Sequence, residues 1–199
     1  MDGQMVGLGN ASLGQIAKKI GAKKIGGGVT SEKEVQRARA SVAAGPATPA
    51  GGDAFWTAIS DMHLASPRRD IIRRVAMQRA GFALVLLHAR SAAAGLPTNE
   101  VAFLRANLIY QSAIMLQTSL WMEQVEFAHE ALDLGNLSAC AEALAGAEVA
   151  FAQVPVLAAD YCRGPWENWY RGAKKLNIAT TLKRTREVLQ QVRQSATKQ

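Results

Sequence analysis

Two arrangements in this 199-residue chain place side chains where they could do chemistry. The first is Trp166-Glu167-Asn168-Trp169-Tyr170-Arg171, set between Gly164-Pro165 and Gly172, where four of the twelve aromatic residues fall within positions 161–170. On a short helical turn Trp166, Trp169 and Tyr170 share a face at i, i+3 and i+4, and Glu167 and Arg171 share another. Exposed, that face would stack on sugar rings or bases, with Arg171, Lys174 and Lys175 supplying charge. Buried, it would plug the mouth of a helical core and keep its polar edges for partners. The second arrangement is Glu126-Phe127-Ala128-His129, the Glu-x-x-His element that di-iron carboxylate bundles use twice. Here it occurs once, because His88 follows Val85 and His63 follows Ser60 at that spacing. A metal site on Glu126 and His129 is therefore the lesser alternative.

No serine or cysteine stands in a nucleophile-elbow context, and no carboxylate pair sits in an aromatic or glycine-rich setting. No catalytic residue and no cofactor are assigned. His88, within Leu84-Val85-Leu86-Leu87-His88, reads as a core histidine. Glu123, Glu126, Glu130 and Asp133 follow helical spacing along one face and read as a solvated stripe, or as the partner of a basic last helix. Cys140 and Cys162 have neither CxxC spacing nor a nearby histidine, which fits small buried thiols. Gly26-Gly27-Gly28 lacks the Gly-Lys-Ser/Thr ending of a phosphate loop.

Charge is distributed unevenly. Residues 1–53 carry seven Lys/Arg against four Asp/Glu, residues 54–162 seven against ten, and residues 163–199 nine against two, within an overall formal charge of +7. The middle segment, 54–162, has arginines and no lysine. The basic ends could draw a polyanion through Lys18, Lys19, Lys23 and Lys24 together with Lys174, Lys175, Lys183 and Arg184. No basic segment leads into an apolar signal core, and no 18-residue apolar stretch is free of polar residues. The expectation is a cytoplasmic protein with no membrane partner.

The elements that must position these residues are helical. Residues 1–52 read as a basic, loosely ordered region with two short helices, started by capping-box spacing at Ser12/Gln15 and Ser31/Glu34. The first places Leu13, Ile16, Ala17 and Ile20 on one face, and residues 43–53 read as a linker. Residues 53–199 then form the bundle domain. Ser66-Pro67 starts a helix that runs to Gly95, with Gly95 as a left-handed cap and Leu96-Pro97 as a stop. The next helix, 98–134, is apolar around much of its circumference and should be central. Gly135-Asn136 separates it from a helix at 137–162, in which Pro155 should kink or break the backbone. A last helix at 178–195 buries Leu182, Val188, Leu189 and Val192. No segment alternates like a strand. The fold class is all-α, an antiparallel bundle of about four main helices.

The pattern Gly-x-Trp-x-x-Trp-Tyr-Arg-Gly-x-Lys-Lys-x-Asn at positions 164–177, followed by a helix with Thr181, Leu182, Thr185 and Leu189, resembles the end of the helical C-terminal domains of large bacterial glycoside hydrolases. The resemblance covers residues 53–195. In such proteins the catalytic carboxylates belong to a separate barrel, for which this chain has no room, so no catalytic residue carries over. It implies an accessory module that packs on a partner and helps shape a sugar site through Trp166, Trp169, Tyr170 and Arg171. The first functional reading is thus a non-catalytic helical module that binds another protein chain or itself, with carbohydrate as a ligand. The second is a basic protein associated with nucleic acid, and the third a metal-dependent bundle enzyme.

Overall fold

A computed structural model describes residues 2–21, 66–161 and 178–197. The second short helix, the linker and the aromatic run lie outside them. The protein is all-α. Among the described residues the elements are α1 (Asp2–Lys19), α2 (Arg68–Ala93), α3 (Thr98–Leu104), a π-helical turn (Arg105–Ile109), α4 (Tyr110–Asp133), α5 (Leu137–Tyr161) and α6 (Ile178–Ala196), with no strand.

α1 begins ten residues before the Ser12 start read from the sequence. Its four glycines weaken a helix in isolation, yet Met5 and Val6 extend the face of Leu13, Ile16 and Ala17, and all five are buried in the main core. Burial of that face outweighs the propensity deficit. Ser12 is consequently an interior helical residue whose hydroxyl turns inward.

α2 opens one residue later than Ser66-Pro67 suggested, with the Pro67 carbonyl accepting the Asp70 and Ile71 N–H groups. Its end departs from expectation. Gly95 is not left-handed, since Gly21 and Gly135 are the glycines with positive φ among the described residues. The chain instead tightens into i→i−3 bonds, Ala94 to Ser91, Gly95 to Ala92 and Leu96 to Ala93, before Pro97 stops it. The central rod runs from α3 through the π turn into α4. Within it the Tyr110 N–H reaches the Arg105 carbonyl, so one extra residue is wound in and the apolar face is rotated between the two halves.

Gly135, at φ +73°, closes α4 with a Schellman pair: Gly135 N–H to Leu132 O at 3.0 Å and Asn136 N–H to Ala131 O at 2.9 Å. Asn136 then caps α5 by accepting the Ala139 N–H at 2.9 Å. α5 continues through Pro155 to Tyr161, so the proline does not break it. Phe151 and Val154 before the proline and Ala158 after it are buried in the same core, and that burial offsets the missing backbone bond. Over Leu137–Asp160, α5 is long and apolar enough to cross a membrane by length and composition. Its inner face holds Cys140, Leu144, Ala147 and Phe151 in the core.

α4 is the central helix, in contact with α1, α2 and α5, and α6 lies against α5 and α1. At the centre Trp121 is fully buried, its ring 4.9 Å from that of Phe151 and its Nε1–H donated to Thr185 Oγ1 at 3.1 Å. A smaller second core of Leu86, Ala89, Ile109 and Ala113 joins the far half of α2 to the π turn and the start of α4.

Candidate functional site

The acidic row on α4 is not a solvated stripe. Glu123 and Glu126 are buried, and the row faces α2 and α1 rather than the basic last helix. From α2, Arg79 Nε lies 2.8 Å from Glu123 Oε2, the Arg68 guanidinium bonds Glu126 Oε2, and Arg69 Nε lies 3.6 Å from Glu130 Oε1. From α1, Ser12 Oγ donates to Glu126 Oε1 at 2.6 Å and Lys19 pairs with Asp133. Three helices therefore meet on one buried carboxylate. A carboxylate with no exposure needs a cation and hydrogen bonds to stay charged, and both are supplied.

His129 completes the cluster, with Nε2 3.5 Å from Arg68 Nη2 and 3.8 Å from Asp133 Oδ1. Burial, reinforced by the Arg68 charge, lowers its pKa to about 4, and Asp133 opposes the shift. Between the ordinary histidine value near 6.5 and about 4 the unfolded chain binds a proton that the folded chain does not. Stability therefore falls as pH drops through that window. Urea unfolding at about pH 7 and about pH 4.5 should show a histidine-dependent loss of about 2 kcal/mol, absent in His129→Gln. Equal pH dependence in the two proteins would contradict a neutral buried imidazole.

Glu126 and His129 thus come together as their spacing suggested, but an arginine guanidinium occupies the carboxylate. Among the described residues no group of three His, Cys, Asp or Glu side chains could hold a metal ion. His88 is exposed on α2, where the sequence placed a core histidine. Cys140 is buried and its thiol pKa is pushed up to about 11 by that burial, as befits an inert thiol.

Of the cations named for a polyanion, Lys23, Lys24, Lys174 and Lys175 lie outside the described residues, as do Trp166, Trp169, Tyr170 and Arg171. Lys18 is exposed at the end of α1, Lys19 pairs with Asp133, and Lys183 lies 3.8 Å from Glu187. Arg184 is not displayed at all. It is buried beside Gly14 of α1, and burial lowers its pKa while Glu187 opposes the shift. It packs α6 on α1.

Sequence reasoning missed Ser12 and Arg68. The usable signal was the set of arginines without lysine in residues 54–162, since the planar guanidinium is the cation suited to buried carboxylates. No protein-family model, curated protein or solved structure matches this chain.

Proposed function

We propose that the chain is a non-catalytic helical-bundle module with a structural and interaction role, accessory to a carbohydrate-active assembly. One observation carries the interaction role: polar groups are engaged inside while large apolar side chains stand outside. Glu123, Glu126 and His129 are held within the bundle by neighbouring helices. Met77, Leu84, Leu87, Phe103, Leu134, Val149 and Val156 are exposed by more than half. Apolar surface in rows, as distinct from scattered residues, marks contact with another macromolecule. The carbohydrate connection rests on the resemblance at positions 164–177.

Purified protein incubated with a panel of aryl glycosides should show no turnover above buffer. Turnover that survives repurification and disappears in Glu126→Gln would overturn the non-catalytic reading. Oligosaccharides should perturb the tryptophan emission, and an unchanged spectrum with a broad panel would remove the carbohydrate connection.

A further inference from the structure

α6 meets α1 through its most enclosed cation. Arg184 is 9% exposed, and its guanidinium extends to Gly14, where the missing side chain leaves it room: a Cβ there would lie 2.9 Å from Nη2. Among the described residues no acceptor meets this guanidinium, and its Nε is sealed from solvent. The other arginines set against neighbouring helices are treated differently. Arg68, Arg79 and Arg186 are all more exposed than Arg184, yet each meets a carboxylate, that of Glu126, Glu123 and Glu148 in turn. Glu187, the one acid of α6, lies a turn beyond Arg184 and 3.8 Å from Lys183, and it acts on Arg184 without bonding it. α1 has no acid after Asp2. A buried charge with neither counter-ion nor acceptor is among the most costly groups a fold can hold, so a ligand that supplies both stabilises it.

The preceding turn of each helix adds the complementary demand. Asn10, four residues before Gly14, donates from Nδ2 to Thr181 Oγ1 at 3.0 Å, and Thr181 stands three residues before Arg184. Thr181 Oγ1 accepts that bond and keeps its own proton to give. Asn10 Oδ1, the other end of the amide, is buried and has no donor. Residues three and four apart on a helix are neighbours about 5–6 Å from each other, so the Asn10 carbonyl, the Thr181 hydroxyl and the Arg184 guanidinium border the same stretch of the seam.

Their needs are specific. The guanidinium and the hydroxyl call for acceptor oxygens and negative charge, whereas the carbonyl calls for an O–H. Water brings the hydrogen bonds but no charge. Sulfate and simple carboxylates bring the charge but, at neutral pH, no proton. Hydrogen phosphate brings both. A phosphodiester within nucleic acid has no such proton, and a cation as enclosed as Arg184 admits the end of a ligand and not a strand lying across it.

We propose that the α1–α6 seam binds hydrogen phosphate, with its anionic oxygens on the Arg184 guanidinium and the Thr181 hydroxyl and its P–O–H on Asn10 Oδ1. The site is independent of the carbohydrate reading, since none of its residues belongs to positions 164–177. It gives Arg184 a small ion, where the charge pattern along the chain suggested a polymer. One cation and two neutral groups give modest affinity, with a Kd of about 1 mM.

Thermal unfolding of the full chain near neutral pH, at constant ionic strength set with sodium chloride, tests this. Inorganic phosphate should raise Tm progressively through the millimolar range, as a ligand of the folded state does. Sulfate should need about tenfold higher concentration for the same rise, because it leaves the Asn10 carbonyl unmet. Arg184→Met should lose the phosphate response and, without phosphate, be at least as stable as the wild type, since it removes an unpaired buried charge. Asn10→Ala should still respond but no longer prefer phosphate to sulfate. Glucose 6-phosphate separates two occupants: tighter binding than inorganic phosphate supports the site with an ester as its ligand, and weaker binding supports it with the free ion. A Tm that rises no more in phosphate than in chloride would overturn the proposal, as would sulfate matching phosphate in the wild type. An Arg184→Met protein that is less stable without phosphate and still responds to it would overturn it too, and would leave Arg184 a packing residue.

Discussion

Arg68→Met is expected to lower stability by about 3–5 kcal/mol, because it leaves the Glu126 carboxylate fully buried without its cation. For a chain of this size that corresponds to a fall in Tm of roughly 10 °C. Glu126→Met should do comparable damage from the other side, stranding a guanidinium that is itself mostly enclosed. The double variant Arg68→Met/Glu126→Met is expected within about 2 kcal/mol of the wild type or above it. An apolar pair of similar length meets no desolvation penalty and fills the same space between α2 and α4. The coupling energy from the four urea curves is the decisive number. If Arg68→Met alone changes stability by less than about 1 kcal/mol, the carboxylate is not sealed in solution and the account of the site is wrong. A second readout separates electrostatics from packing. The Arg68 charge helps to hold His129 neutral, so its removal should raise the His129 pKa, while burial, the larger influence, keeps it below the ordinary value.

The helical architecture was legible because its punctuation is chemical. Pro67, Pro97 and Gly135-Asn136 each act through a property fixed in the residue itself, a missing N–H, a locked φ or tolerance of positive φ. Where a feature depends on what lies across the bundle, local reading failed. Ser12 and Gln15 have the spacing of a cap, yet Met5 and Val6 have a core to enter, and the helix starts earlier. Pro155 was expected to kink or break α5, but the packing of Phe151, Val154 and Ala158 carries the helix across it. The π turn left no residue-type signature, since it changes the number of residues per turn without requiring a glycine or proline. The candidate site was half legible. Spacing on one helix joined Glu126 to His129, whereas Ser12 and Arg68, 114 and 58 residues away from Glu126, were brought to it by the fold alone.

Gly9 shows most sharply how the two kinds of information combine, and Gly9→Ala should destabilise the protein by about 2 kcal/mol or more. In an exposed helix interior the same substitution would be favourable by about 1 kcal/mol, through alanine's higher propensity. A Cβ at Gly9 would lie 2.4 Å from Cη2 and Cζ3 of Trp121. The indole cannot give way: its Nε1–H is held by Thr185 Oγ1, its ring lies against the tilted ring of Phe151, and no part of it reaches solvent. Relief must come from α1 moving off α4, which draws Ser12 away from Glu126 one turn later. Two other glycines of the same helix serve as controls. Gly7 has nothing within 4 Å of a Cβ, so Gly7→Ala should stabilise by about 0.5–1 kcal/mol. At Gly14 a Cβ would meet Arg184 Nη2 at 2.9 Å, the movable end of a long side chain, and Gly14→Ala should fall within about 1 kcal/mol of the wild type. Urea midpoints for the three variants should therefore fall in the order Gly7→Ala, Gly14→Ala, Gly9→Ala. Amide exchange in Gly9→Ala should rise in α1 ahead of α4 and α5. A Gly9→Ala protein as stable as Gly7→Ala would mean that α1 does not lie on Trp121, and the burial assigned to its apolar face would fall with it.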